Sequence, residues 1–148
     1  MECVALLDAN VVISMLMAGE RRSSLMNLVV ELAISGAFIP VLTVSTRLEV
    51  LNVVKRNPKI RSRATDEEID DLFTVLGIGV GRCLPPRDPV PRICRDPRDD
   101  YLLEEARVCG ATHLVTGDRD LLVLDGQFPF RILTPREFAE TLGIDPGE

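Results

Sequence analysis

Residues 96–118, DPRDDYLLEEARVCGATHLVTGD, constrain this chain more than any other stretch, because they read as a helix delivered into a buried strand. Leu102, Leu103, Ala106 and Cys109 recur at helical spacing, Asp99 can cap the start, and Gly110 stands where a left-handed stop is expected. This predicts a helix over about 100–109. His113 to Thr116 then reads as a strand ended by Gly117, with Asp118 just past its tip. A helix feeding a strand in this way runs antiparallel to it, so the helix start lies beside the strand end and Asp99 and Asp118 become neighbours. Asp100 competes with Asp99 for that place. Two carboxylates ~4 Å apart repel by about 4 kcal/mol at an effective dielectric near 20. A proton or a divalent cation is needed to offset them.

The rest of the chain alternates in the same way. Cys3 to Leu7 is continuously apolar, as suits a strand covered on both faces, and Asp8 stands at its tip with Asn10 two residues on. An amphipathic helix is predicted over about 23–35, stopped by Gly36. Phe38 to Leu42 is a second strand, leading to a helix over about 47–56 with Glu49 in its first turn. Residues 57–65 read as a loop, and Thr65 with Glu68 has capping-box spacing before a helix carrying Ile69, Leu72, Phe73 and Leu76. Gly77 to Leu84 is a weaker strand signal, and residues 85–97, with five prolines, form an ordered loop that delivers Asp99. Asp120 opens a helical turn over 121–124, and Phe130 to Leu133 is the last strand. Thr134 and Glu137 box the start of a final helix that ends near Gly143.

Strand–helix alternation predicts a three-layer α/β/α sandwich around a central, mainly parallel sheet, as one domain over residues 1–148. In such sheets sites form beyond the strands' C-terminal ends, where the strand order reverses. Asp8, Glu49 and Asp118 all follow strands, and Asp99 is brought to the same edge by its helix. All but Asp8, which directly follows an apolar strand at a buried edge, have a ready local alternative. Glu49 could complete a capping box with Thr46, Asp99 could be only a cap, and Asp118 and Asp120 could be turn residues.

Composition excludes several chemistries. With one histidine, His113, at the mouth of a buried strand, Ser-His-Asp, Cys-His and poly-histidine metal sites are out of reach, and His113 is expected to be structural. The four cysteines show no CxxC spacing, which argues against structural zinc and for a reducing, cytoplasmic setting. No apolar run approaches the roughly 18–20 residues that span a bilayer, and the run at 3–7 ends in Asp8, so neither a membrane segment nor a signal peptide is expected. Four carboxylates at one edge make a hard oxygen site suited to Mg²⁺ or Mn²⁺, ions that support hydrolysis of phosphodiesters.

LLDANVVIS at the start, a glutamate early in the helix after the second strand, DPRDDYLL and LVTGDRDLL together resemble the PIN domain, specifically its toxin components of toxin–antitoxin pairs. The resemblance covers nearly the whole chain. It implies a metal-dependent single-strand ribonuclease, often a homodimer, held inactive by a cognate antitoxin protein. On this resemblance the acidic quartet is Asp8, Glu49, Asp99 and Asp118, with Asn10 and Thr116 in support. Asp100 remains an alternative to Asp99, and Asp120 can assist Asp118.

A net charge of −6 does not favour a polyanion, so local charge must do so. Lys55, Arg56, Lys59, Arg61 and Arg63 follow the Glu49 helix closely, and Arg21 with Arg22 adds a second pair. They could steer RNA phosphates towards the acidic site, or form only a solvated loop that aids solubility. A haloacid-dehalogenase phosphatase would want an aspartate where Asn10 stands, and a receiver-like phosphoaspartate domain would want a lysine at a late strand end. The main competitor is a PIN domain without chemistry that binds RNA or protein.

Overall fold

The computed structural model describes residues 2–19, 24–79, 84–87, 89–145 and 147. Four strands, β1 (Val4–Leu7), β2 (Ile39–Val41), β3 (His113–Val115) and β4 (Arg131–Leu133), form one sheet in the order β2-β1-β3-β4. All three pairings are parallel, with Leu6 opposite Val41 on one side and Leu114 on the other. The residues of β1 are only 0–3% exposed, so both of its faces are covered. Ala5 and Leu7 face a core shared with Phe38, Leu42, Val50, Phe73 and Phe138, whereas Val4 and Leu6 face a second core with Leu102, Leu103, Ala106 and Leu121. Helices therefore sandwich a fully parallel sheet, the predicted three-layer α/β/α architecture.

The helices are α1 (Ala9–Ala18), α2 (Leu25–Ile34), α3 (Val44–Arg56), α4 (Pro58–Arg63), α5 (Asp66–Leu76), α6 (Pro97–Val108), α7 (Arg119–Leu122) and α8 (Pro135–Thr141). Capping boxes at Thr65 with Glu68 and at Thr134 with Glu137 start α5 and α8 as their spacing predicts. Elsewhere the sequence reading is corrected. A whole helix, α1, follows Asp8 directly; its sequence ANVVISMLMA is apolar on nearly every side and so shows no amphipathic stripe. The expected loop at 57–65 is largely α4, started by Asn57, which accepts from the Lys59 backbone, and by Pro58 at the first helical position. Thr43 rather than Thr46 caps α3, so Glu49 lies in its second turn and completes no capping box.

The helix Pro97–Val108 starts three residues earlier than expected, capped by Asp96 and not by Asp99, because Pro97 fits the first turn. Likewise Asp118, not Asp120, caps α7. Gly77 to Gly79 is a turn rather than a strand, with the Gly79 amide donating to the Pro40 carbonyl at 3.0 Å. A Cβ on Gly79 would stand 2.7 Å from that carbonyl oxygen, so only glycine lets the turn lie against the edge of β2. Residues 80–83, which complete the expected strand, lie outside the described residues.

Strand β1 is flanked by β2 on one side and β3 on the other, so the chain's progress across the sheet reverses between β1 and β3. That reversal leaves a crevice beyond the C-terminal ends of these two strands. Asp8 follows β1 and Thr116 to Asp118 follow β3. His113 is structural in its contacts: Nδ1 hydrogen-bonds Thr112 Oγ1 at 2.8 Å and the ring meets Phe138 edge-on. Cys3 and Cys94 carry free thiols, and Cys83 lies outside the described residues. No described helix is long and apolar enough to cross a membrane.

Candidate active site

The crevice is a cleft of about 660 Å³ between α3 and α6, floored by the tips of β1 and β3. Asp8, Glu49, Asp99 and Asp118 all line it. Each arrives from a different element, for a local reason.

Asp8 leaves the sheet in extended conformation and caps α1, its Oδ1 accepting from the Ala9 amide at 2.7 Å. Its Oδ2 accepts from Thr116 Oγ1 at 2.7 Å and Asn10 Nδ2 at 3.2 Å. The same Thr116 hydroxyl oxygen accepts from the Asp118 amide at 3.0 Å, and Asn10 Oδ1 accepts from the Gly117 amide at 3.1 Å. Asn10 and Thr116 thus tie the tips of β1 and β3 together and fix Asp8 beside Asp118. Asp118 in turn accepts from the Asp120 amide at 2.9 Å as the cap of α7. Burial pushes the Asp8 carboxyl above its ordinary range and the Asp118 charge pushes it further, while the Thr116 hydroxyl and Ala9 amide pull it back.

Asp99 is the third residue of α6, and its carboxyl is pushed up to about 6, first by burial and then by the charges of Asp118, Asp96 and Asp8. Glu49 is raised by burial and by Asp8, against the pull of the Arg98 guanidinium, whose Nη1 stands 3.9 Å from Glu49 Oε1. For Asp8, Glu49 and Asp99 alike, burial comes first and the charge of neighbouring carboxylates adds to it in raising proton affinity.

Asp100, the alternative to Asp99, does something else. It is 2% exposed and does not line the cleft. Its Oδ1 accepts from the amides of Ile93 at 3.0 Å and Cys94 at 2.7 Å, and Arg92 Nε stands 3.3 Å from Oδ2. It clamps the proline-rich segment onto α6. Asp100→Ala is expected to lower stability by about 1–3 kcal/mol, since two amides lose their acceptor, while leaving divalent-ion affinity unchanged. Denaturant melts and calorimetric titration check this, and a loss of ion binding equal to that of Asp99→Ala would return Asp100 to the site. Asp120, the suggested assistant of Asp118, also does not line the cleft; its carboxylate is 3.8 Å from Arg95 Nη2.

Of the described basic residues singled out in sequence, only Arg56 lines the cleft. Lys55 and Arg61 border a separate hollow, with Arg61 paired to Asp66 at 2.7 Å. Lys59 and Arg63 are exposed on α4, and Arg21 and Arg22 lie outside the described residues. Three charged cleft residues escaped the sequence reading: Asp96, Arg98 and Glu105. Pro97 after Asp96 was the available signal for the first two, as it marks the start of α6. Glu105 gives none, being one of two adjacent glutamates in a helix.

The donors are chemically right for Mg²⁺ or Mn²⁺: all are carboxylates, with no soft ligand at the cleft. Among the described residues no three His, Cys, Asp or Glu side chains are gathered in advance to hold an ion. Mutual repulsion disfavours a closer approach of these carboxylates, and Asp8 already spends one lone pair of Oδ1 and both of Oδ2 on Ala9, Thr116 and Asn10. Comparison with known proteins adds one finding: a family model described as PIN domain matches residues 4–120. No curated protein and no solved structure matches the chain.

Proposed function

The chain belongs to the PIN-domain family, and from that premise we propose that it is a metal-dependent endoribonuclease that hydrolyses single-stranded RNA as the toxin of a toxin–antitoxin pair. The observation that carries this reading is the meeting of Asp8, Glu49, Asp99 and Asp118 in one cleft at the switch point of the sheet. These four would hold Mg²⁺ or Mn²⁺, with Asp8 the fixed member and Glu49 and Asp99 the adaptable ones. The ion, when bound, supplies an activated water and stabilises charge on the phosphoryl group. The chain's own part is to hold four carboxylates against their repulsion, through Asn10 and Thr116 at the floor and the helix caps around it. Arg98 and Arg56 stand in the same cleft to meet the RNA backbone.

The partner reading draws support from α3. Val44, Leu48 and Leu51, at i, i+4 and i+7, are 66%, 55% and 41% exposed, and Leu48 lines the cleft. An apolar stripe of this kind beside a site suits a protein partner, the antitoxin or a second copy in a homodimer. A cytoplasmic setting agrees with that role.

The test is cleavage of a varied panel of single-stranded RNAs by purified protein with Mg²⁺ and with Mn²⁺. No cleavage in either metal would leave a PIN domain that binds RNA or protein without chemistry. Neutralising Lys55, Arg56, Lys59, Arg61 and Arg63 together is expected to weaken RNA binding at least about tenfold at low salt and to flatten its salt dependence, with Mn²⁺ affinity intact. Filter binding across a salt series measures it, and an unchanged slope would remove these residues from the RNA path.

A further inference from the structure

Glu105 is a buried acid of the cleft to which nothing above gives a task. It sits on α6, is 6% exposed, and lines the cleft. Its Oε1 accepts from Ser45 Oγ at 2.8 Å and from Thr43 Oγ1 at 3.3 Å, and its Oε2 makes no hydrogen bond among the described residues. Thr43 is the cap of α3 and Ser45 lies in the first turn of that helix. A shielded carboxylate is costly to keep, and two neutral hydroxyls with the positive end of a 13-residue helix offset only part of the cost. Burial accordingly holds the Glu105 carboxyl above its ordinary range.

What this residue joins explains its place. Helix α3 carries Glu49, one turn beyond Ser45 on the same face, and α6 carries Asp99, less than two turns before Glu105. The cleft keeps these two helices apart, and they are not among the closely packed pairs of elements. At the mouth, Arg98 reaches across to Glu49 only at 3.9 Å and with 73% of its side chain exposed, a contact that water and salt weaken. The Glu105 contacts span the same gap from inside.

We propose that Glu105 is a positioning residue whose hydrogen bonds to Ser45 and Thr43 lock α3 to α6 and so set the spacing of Glu49 and Asp99. The proposal rests on the metal-site reading above. Glu105 touches neither metal nor RNA; it determines whether two carboxylates on separate helices are correctly spaced for one cation.

Calorimetric Mn²⁺ titration of the wild type, Glu105→Ala, Glu105→Gln and Ser45→Ala, with melting temperatures and with KM and kcat on one single-stranded RNA, tests it. Glu105→Ala is expected to bind Mn²⁺ about 10–100-fold more weakly, as losing the support of a metal ligand does, with the loss in kcat and not in RNA KM. Glu105→Gln keeps an acceptor for both hydroxyls and is expected to stay within about threefold of the wild type, and Ser45→Ala to fall between. A Glu105→Ala protein that melts lower yet binds Mn²⁺ normally has lost packing alone, and overturns the proposal. Glu105→Gln as weak as Glu105→Ala overturns it too, in favour of direct ligation. If Glu105→Ala does not fold, unchanged Mn²⁺ affinity in Ser45→Ala overturns it. A wild type that binds no Mn²⁺ overturns the metal site and this inference together, whereas normal binding by both proteins overturns this inference alone.

Discussion

Asp8→Asn is expected to end metal-dependent RNA cleavage, with a loss well above about a hundredfold, the upper range for losing even an indirect supporter of a metal. The substitution keeps size and shape. Asn still offers an oxygen to the Ala9 amide that Asp8 now caps, and the Thr116 hydroxyl can reverse its role towards the new amide. What disappears is a negative charge at the floor of the cleft. Because burial raises the Asp8 carboxyl, its ionised form works against the fold at neutral pH. The metal-free variant is therefore expected to melt at or above the wild-type temperature at pH 7.5. Cleavage assays and calorimetric melts decide it together: a folded variant that still cuts at the wild-type rate removes Asp8 from the chemistry.

Mn²⁺ at about a hundred times its dissociation constant is expected to stabilise the wild type by about 2.7 kcal/mol, or roughly 5–10 °C in melting temperature for a domain near this size. The gain depends on pH in a stated direction. The Asp99 carboxyl lies at about 6, above its ordinary value near 4. Its contribution to the metal-free fold is present below about pH 4 and is lost as pH rises through about 6. Asp8 and Glu49, also raised, act in the same direction. The metal-free protein loses stability over the range in which the ion gains its ligands. The Mn²⁺-induced shift should be large at pH 7.5 and nearly gone at pH 5. Melts at both values measure it, and an equal shift at the two would mean that the ion binds away from these carboxylates.

Much of the architecture was legible because the responsible signals are local. A run of buried aliphatics ending in aspartate gives β1, and a threonine three residues before a glutamate gives the starts of α5 and α8. Where the reading erred, two signals competed. In 96–99 both Asp96 and Asp99 can cap a helix, and Pro97 decides between them because it lacks the amide that a first-turn residue need not use. At 57–58 the same Asx-Pro pair starts α4, where a loop is expected from the sequence. Helix α1 was hidden by its apolar composition, since Asn10 and Ser14 alone mark its exposed side. The cleft acids could be ordered along the sheet edge from sequence because parallel strands point their C-terminal ends one way. Glu105 could not, since its role depends on Ser45, 60 residues away and on another helix.

The double use of the cleft acids bears on how such a domain would decay. Asp8 and Asp118 each begin a helix as well as facing the cleft, whereas Glu49 and Asp99 cap nothing. A lineage released from the need to cut RNA would still be penalised for losing the first pair, by the roughly 1 kcal/mol that a helix start is worth. It would shed the second pair with little structural consequence. Descendants that had become mere binding modules would thus keep the strand-tip aspartates long after their chemistry had gone, and the state of Glu49 and Asp99 would be the earlier sign of disarmament.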